Sequence, residues 1–283
     1  MSVTHTTFGA FNAVHRALAR NGRFGRLPDL DTTPVILVEG DSWVAMPPYH
    51  DLGDHLERLT GGLYLRMGNH GDTAKDMFSG RNLDTLRRRI DQLGFDVAVV
   101  SAGGNDLAGV LDRHRVFKPT TPPMAPDQAV GMLVTNGVFD RIATAYRRFL
   151  KVTREAGTHV VGHGYAYPRL MGVPLVLTVQ NIGLLALFKR TVGDWIQRHI
   201  QHILPTEAEQ LAFAEGMIDR FHDLVLAQLD PADFSYVDLR RALPDPADWN
   251  DELHPSEAGF GKLARQLKPE IARHLPPAKR ANF

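Results

Sequence analysis

The sequence predicts an α/β fold with one parallel sheet of five strands and helices in the connections. Five short apolar runs alternate with stretches in which apolar residues follow a helical period. The third run, "FDVAVVSA", is apolar enough to be buried on both faces, as a central strand of a parallel sheet must be. Strand–helix–strand alternation of this kind gives parallel neighbours joined by right-handed crossovers.

The five predicted strands share a short length and an ending of glycine or polar residues. They cover residues 34–39, 63–67, 95–102, 158–164 and 234–239. Four of these strand ends, or the loops that follow them, hold the polar segments on which the functional prediction rests.

The predicted helices share apolar residues at three- and four-residue spacing. These positions include Leu52, Leu56, Leu59, Leu83, Leu86, Ile90, Leu93, Val138, Ile142, Ala145, Phe149 and Val152. Gly94 suits the left-handed position after a helix, and Thr206 with Glu209 forms a T-x-x-E capping box that opens another helix. The last helix follows Pro255, and Pro269 is expected to divide or kink it.

The alternation predicts one α/β domain over residues 34–275, with an N-terminal helical extension at 1–33 and a C-terminal tail at 276–283. Two stretches interrupt the pattern, a proline-rich one at about 112–137 and a long one at 165–204. Because strands resume after each, we interpret both as insertions into a single domain.

Composition excludes several classes of function. The chain has 283 residues, with 32 basic and 32 acidic side chains, so its net charge gives no argument for binding nucleic acid or an anionic membrane, and no nucleic-acid partner is expected. It has no cysteine, which excludes disulfides and thiolate chemistry. The most apolar stretch, 172–188, has Gln180 and Asn181 at its centre and is too short and polar for an integral membrane span. The N-terminus lacks the pattern of a signal peptide. We expect a cytoplasmic protein.

Four polar segments fall at one edge of the predicted sheet. They are "GDSW" (40–43), "GNHGDT" (68–73), "GGND" (103–106) and "DELHP" (251–255). Ligands of parallel α/β sheets bind outside the carboxyl ends of the strands. The edge that gathers these segments is therefore the predicted site.

These segments contain what acyl transfer requires. A serine hydroxyl such as that of Ser42 needs a neighbouring base, and His254 can accept its proton. Asp251, three residues before His254, can orient the imidazole and stabilise its charged form. The oxyanion needs preorganised donors, and the N–H groups of Ser42 and Gly71 and the amide of Asn105 are candidates.

In this order, the four segments resemble the sequence blocks of the SGNH hydrolases, also called GDSL esterases and lipases. The letters of that name fall on Ser42, Gly71, Asn105 and His254, and Asp251 matches the family's triad acid. The resemblance extends over about residues 34–275. One departure is a tryptophan at position 43, where the family name has leucine. The resemblance implies a flavodoxin-like three-layer α/β/α sandwich and ester hydrolysis without a metal or other cofactor.

Local residues argue against rival sites. Val44 stands where the G-x-S-x-G nucleophile elbow of α/β-hydrolases needs glycine. The G-x-G-x-x-G of a dinucleotide site is absent after the first strand. Two histidine pairs, His159 with His163 and His199 with His202, lack an H-E-x-x-H pattern, so no metal site is expected.

We therefore expect a serine esterase acting on a small-molecule or lipid-like ester. Two alternatives stay open: a carbohydrate O-deacetylase, and a catalytically idle module that binds a glycan or acyl group. Trp43 and His163 lie at the predicted rim and are candidate substrate contacts, although a buried, hydrogen-bonded histidine is the favoured interpretation of His163. The apolar segment 172–188 can serve as a lid, an acyl site or a homodimer interface.

Overall fold

A computed structural model describes residues 2–5, 7–25, 27–46, 50–112, 116–176, 191–192 and 195–283. The described strands are β1 (Ser2–His5), β2 (Val35–Gly40), β3 (Gly62–Arg66), β4 (Val97–Ser101), β5 (His159–His163), β6 (Leu175–Val176), β7 (Thr191–Val192) and β8 (Phe234–Val237). Six of them form one parallel sheet in the order β1-β3-β2-β4-β5-β8. The pair β6 and β7 is antiparallel and separate from it.

All five predicted strands are present in this sheet and helices cover both of its faces, which confirms the predicted fold class. Strand β1 is an addition that the sequence analysis did not predict. It pairs with β3 at the edge, from Ser2 beside Gly62 to His5 beside Leu65. Its sequence, "SVTH", is short and mostly polar, so it lacks the apolar run by which a buried strand is recognised.

The described helices connect the strands. They are α1 (Phe8–Asn21), α2 (Leu52–Leu59), α3 (Ala74–Met77), α4 (Gly80–Leu93), α5 (Gly104–Leu111), α6 (Pro126–Asn136), α7 (Val138–Glu155), α8 (Gln197–Ile200), α9 (Glu207–Leu224), α10 (Glu257–His274) and α11 (Pro277–Arg280). Helices α2 and α10 pack together on one side of the sheet, and α3, α4 and α7 pack together on the other. Short 3₁₀ turns occur at Leu226–Gln228 and Pro246–Asp248.

Local sequence explains several helix ends. Gly94 ends α4 in the left-handed conformation, with φ of 61°. Thr206 and Glu209 form the predicted capping box, each side chain accepting the other's main-chain N–H. The expected division at Pro269 is wrong, because α10 runs continuously from Glu257 to His274 with this proline inside.

Both interruptions of the alternation contain structure of their own. The first contributes α6, which packs against α9. The second contains the β6–β7 pair and α8, whose last residue, Ile200, is buried. Most of the apolar segment 172–188, from residue 177 onward, lies outside the described residues. Within the described part of the chain, no helix is both long and apolar enough to cross a membrane.

Candidate active site

The turn after β2 is fixed by its neighbour β4. Gly40 must be glycine, because a Cβ there would lie 2.5 Å from the carbonyl oxygen of Ser101. The main-chain N–H of Asp41 donates to that same oxygen at 2.9 Å. The Asp41 carboxylate accepts from the Ser101 hydroxyl at 2.8 Å and from the N–H of Trp43 at 3.1 Å. Ser42, between these anchored residues, therefore has a defined position at the end of the sheet.

A hydrogen-bonded series joins Ser42 to His254 and Asp251. Ser42 Oγ lies 2.9 Å from His254 Nε2, and His254 Nδ1 lies 2.9 Å from Asp251 Oδ2. Asp251 is fully buried and His254 is 6% exposed, whereas Ser42 is only partly buried. The Ser42 hydroxyl is thus the member of the series that a substrate can reach.

The turn that holds Asp251 and His254 is stabilised by the acid itself. Asp251 Oδ1 accepts the main-chain N–H groups of Leu253 at 2.7 Å and of His254 at 2.8 Å. The N–H of Asn250 donates to the carbonyl oxygen of His254 at 2.8 Å. These bonds hold the imidazole close to the carboxylate, as the three-residue spacing predicts.

Asn105 lies in the first turn of α5 and links two of the polar segments. Its Nδ2 donates to the carbonyl oxygen of Asp72 at 2.9 Å, and Asp106 accepts the N–H of Ala74 at 2.6 Å. Burial raises the pKa of Asp106 to about 6. Gly71 is exposed in the linked loop, with φ of 84°, a conformation that favours glycine.

The aromatic residues predicted to contact substrate lie beneath the serine turn. The Trp43 ring stacks on His163 at 5.5 Å, and its Nε1 donates to the carbonyl oxygen of Leu253 at 3.0 Å. Both side chains are buried, and burial lowers the pKa of His163 to about 4, so its imidazole is neutral at pH 7. With 1% of its surface exposed, His163 offers almost no surface to a substrate.

A cavity of about 50 Å³ adjoins Ser42. Its walls, which include Trp43 and Asn105, are mainly apolar, with Leu107, Ala108, Ala166, Ala214, Met217 and Ile218 among them. A larger groove of about 1200 Å³ lies between α6 and α9, and neither Ser42 nor His254 is among its lining residues. We assign the smaller cavity to the site because it adjoins the serine.

Sequence reasoning missed two side chains that hold the site together. The Tyr165 hydroxyl donates to Asp41 and accepts the N–H of Gly104. The Glu252 carboxylate is buried and accepts main-chain N–H groups from the 165–204 stretch. Tyr165 directly follows a predicted strand end, which is a usable indication. Glu252 has partners 55 to 80 positions away, which no local pattern reveals.

The fold and the site together define an α/β protein with a hydroxyl, an imidazole and a carboxylate in series at the carboxyl edge of its sheet. The sequence model of the GDSL-like lipase/acylhydrolase family matches residues 37–261. The chain belongs to this family, a hydrolase family, as its sequence blocks predict.

Solved structures with similarity to the chain are distant. A GDSL-like lipase from Bacteroides thetaiotaomicron is 14% identical and covers 94% of this chain and 100% of its own, with a TM-score of 0.40. A catalytic mutant of an acetylxylan esterase from Geobacillus stearothermophilus is 14% identical and covers 85% of this chain and 94% of its own, with a TM-score of 0.44. No curated protein sequence shows significant similarity to the chain.

Proposed function

We propose that the protein is a serine esterase that hydrolyses carboxylic esters. The observation that carries this proposal is the unbroken series from Ser42 Oγ through the His254 imidazole to the Asp251 carboxylate, with 2.9 Å at each step. A buried carboxylate on Nδ1 selects the tautomer whose Nε2 lone pair faces the hydroxyl. That is the protonation state in which the imidazole can act as a base.

In the proposed reaction, Ser42 Oγ bonds to the ester carbonyl carbon while its proton moves to His254 Nε2. The carbonyl electron pair becomes an oxyanion, held by the N–H groups of Ser42 and Gly71 and the amide of Asn105. The intermediate collapses as His254 returns the proton to the departing alcohol oxygen. Water then attacks the acyl-enzyme, again with His254 as base, and releases the acid and free Ser42.

The small cavity beside Ser42 supports a substrate with a short acyl group. One water needs about 10–15 Å³ of such space, so a cavity of about 50 Å³ fits only a few heavy atoms. This supports acetyl to butyryl esters and keeps a carbohydrate O-deacetylase as the second candidate. A glycan or a simple alcohol would then form the leaving group outside the cavity.

A fluorophosphonate tests the nucleophile. We expect it to label the wild-type protein on Ser42 and to abolish hydrolysis of p-nitrophenyl acetate, whereas Ser42→Ala should be neither labelled nor active. Ser79→Ala is the matched control, because the Ser79 hydroxyl makes no capping bond to its helix. Undiminished labelling in Ser42→Ala would exclude this residue. An unlabelled, inactive wild-type protein would favour the idle binding module.

A panel of p-nitrophenyl esters from acetate to palmitate then separates the substrate classes. The proposal predicts kcat/KM that is highest at two to four acyl carbons. Release of acetate from acetylated oligosaccharides with a higher kcat/KM than from p-nitrophenyl acetate would favour the O-deacetylase.

A further inference from the structure

One buried phenol connects the two halves of the candidate site. Tyr165 lies two positions after the end of β5 and is 7% exposed. Its hydroxyl donates to Asp41 Oδ2 at 2.6 Å and accepts the main-chain N–H of Gly104 at 2.9 Å. Asp41 directly precedes Ser42, and Gly104 directly precedes Asn105. A single oxygen atom therefore joins the residues next to the proposed nucleophile and the proposed oxyanion donor.

The contact with Gly104 satisfies a group that its own helix cannot. The first N–H groups of a helix have no partner within it, and the preceding residue, Gly103, has no side chain with which to cap α5. The Tyr165 hydroxyl, from a different part of the chain, accepts the N–H of Gly104, the first of these groups. The beginning of α5, and with it Asn105, is thus fixed by Tyr165.

Packing leaves the phenol ring little freedom. The ring meets Trp43 edge-on, with centroids 4.9 Å apart, and packs against Phe221 at 5.6 Å. Gly104 approaches it so closely that a Cβ at this position would lie 3.0 Å from the ring. The ring therefore sets the separation between the turn of Ser42 and the start of α5.

We propose that Tyr165 is a positioning residue that fixes the oxyanion donor Asn105 relative to Ser42. This inference rests on the proposed function. Oxyanion donors act only when they are preorganised at the place where charge develops, and Tyr165 supplies that fixed distance without bonding to the reacting groups. Removing its hydroxyl spares the serine turn, because Asp41 keeps its bonds from Ser101 and the Trp43 N–H.

The test compares Tyr165→Phe with Tyr167→Phe. The control removes a hydroxyl that donates to Asp219, also at 2.6 Å, but that lies outside the cavity of Ser42. For p-nitrophenyl acetate we expect Tyr165→Phe to lower kcat about 10- to 100-fold with KM unchanged, less than the 10²- to 10³-fold loss typical of removing an oxyanion donor. Tyr167→Phe should stay within about twofold of wild type.

A double variant tests the route of the effect. If Tyr165 acts through Asn105, adding Tyr165→Phe to Asn105→Ala should cost less than about threefold more in kcat. A full additional loss would overturn the proposed route, because the two residues would then act independently.

A second pair of variants changes the contact between Tyr165 and Gly104 at the glycine. It tests the positioning role of Tyr165 even if Tyr165→Phe does not fold. Gly104→Ala pushes a methyl group against the phenol, whereas Gly109→Ala, in the same helix, meets nothing within 4 Å. Only Gly104→Ala should lower kcat. The inference is overturned if the variants at 165 and 104 match their controls in kcat, or if their loss appears in KM. A wild-type protein without Ser42-dependent hydrolysis would instead refute the proposed function, and this inference with it.

Discussion

Glu252 offers the sharpest test of how the 165–204 stretch is attached to the candidate site. Its fully buried carboxylate accepts the N–H of Gly172 at 2.7 Å and of Gln197 at 3.2 Å on Oε1, and that of Ile196 at 2.8 Å on Oε2. Gly172 precedes the β6–β7 pair, and the other two residues begin α8. One side chain therefore ties two separate parts of the insertion to the turn that contains Asp251 and His254.

The expected loss in the free energy of unfolding follows from the number of hydrogen bonds that Glu252 accepts. A buried hydrogen bond to a charged group contributes about 1.5–3 kcal/mol. Glu252→Ala removes three hydrogen bonds that two carboxylate oxygens accept. Because water can enter beside the cavity, we expect the free energy of unfolding to fall by about 3–5 kcal/mol rather than by the full sum. Glu252→Gln keeps one oxygen for two of the N–H groups and turns an amide toward Ile196, so it should cost about 1.5–3 kcal/mol.

Urea unfolding at pH 7, followed by circular dichroism, measures these differences. Glu257→Ala is the control, since its half-exposed carboxylate approaches Arg58 only at 3.7 Å and such surface pairs contribute about 0–1 kcal/mol. The order of stability should be wild type, Glu257→Ala, Glu252→Gln, Glu252→Ala. If Glu252→Ala lies within about 1 kcal/mol of Glu257→Ala, the three bonds do not hold the insertion and the reasoning fails.

Two further predictions concern Asn105 and Glu39. Asn105→Ala should lower kcat about 10²- to 10³-fold with a small change in melting temperature; a loss of activity that instead follows a large fall in melting temperature would make Asn105 a loop brace. Burial, reinforced by the nearby Asp72 carboxylate, raises the pKa of Glu39 to about 8. Between about pH 4.5 and 8, Glu39 is therefore protonated in the folded chain but ionised in the unfolded chain. The folded chain therefore loses stability as the pH rises through this window. Glu39→Gln should be more stable than wild type by a few kcal/mol at pH 8.5 but by little at pH 4.5. Urea unfolding measures this difference, and an equal difference at both pH values would contradict the reasoning.

The parallel core was predictable because each central strand must be apolar on both faces. That requirement produces the runs that became β2, β4 and β5. The edge strand β1 does not have to be apolar on both faces, so its sequence contains no apolar run. At Pro269, helix propensity alone predicts a division or a kink, but the buried face of α10 on either side of it, with Leu267 and Ile271, keeps the helix continuous.

The residues of the site divide in the same way. The proximity of Ser42, His254 and Asp251 could be predicted, because strand ends and a three-residue spacing are local features of the sequence. Tyr165 and Glu252 could not be assigned their contacts, because those depend on which distant loops meet. Asp41 combines both cases. Its position next to Ser42 can be read from the sequence, whereas its hydrogen bond with Tyr165 is visible only in the structure.

The two missed residues also change how the 165–204 insertion should be understood. It begins with Tyr165, whose phenol contacts the first residue of α5, and Gly172, Ile196 and Gln197 within it donate to the Glu252 carboxylate beside Asp251. The stretch is therefore attached to the start of α5 through Tyr165 and to the turn of Asp251 and His254 through Glu252. Because these attachments use different atoms and different loops, Tyr165→Phe and Glu252→Gln should affect kcat independently. If the losses in kcat add in the double variant, the two side chains stabilise the site separately. Strong non-additivity would mean that the insertion moves as a single unit.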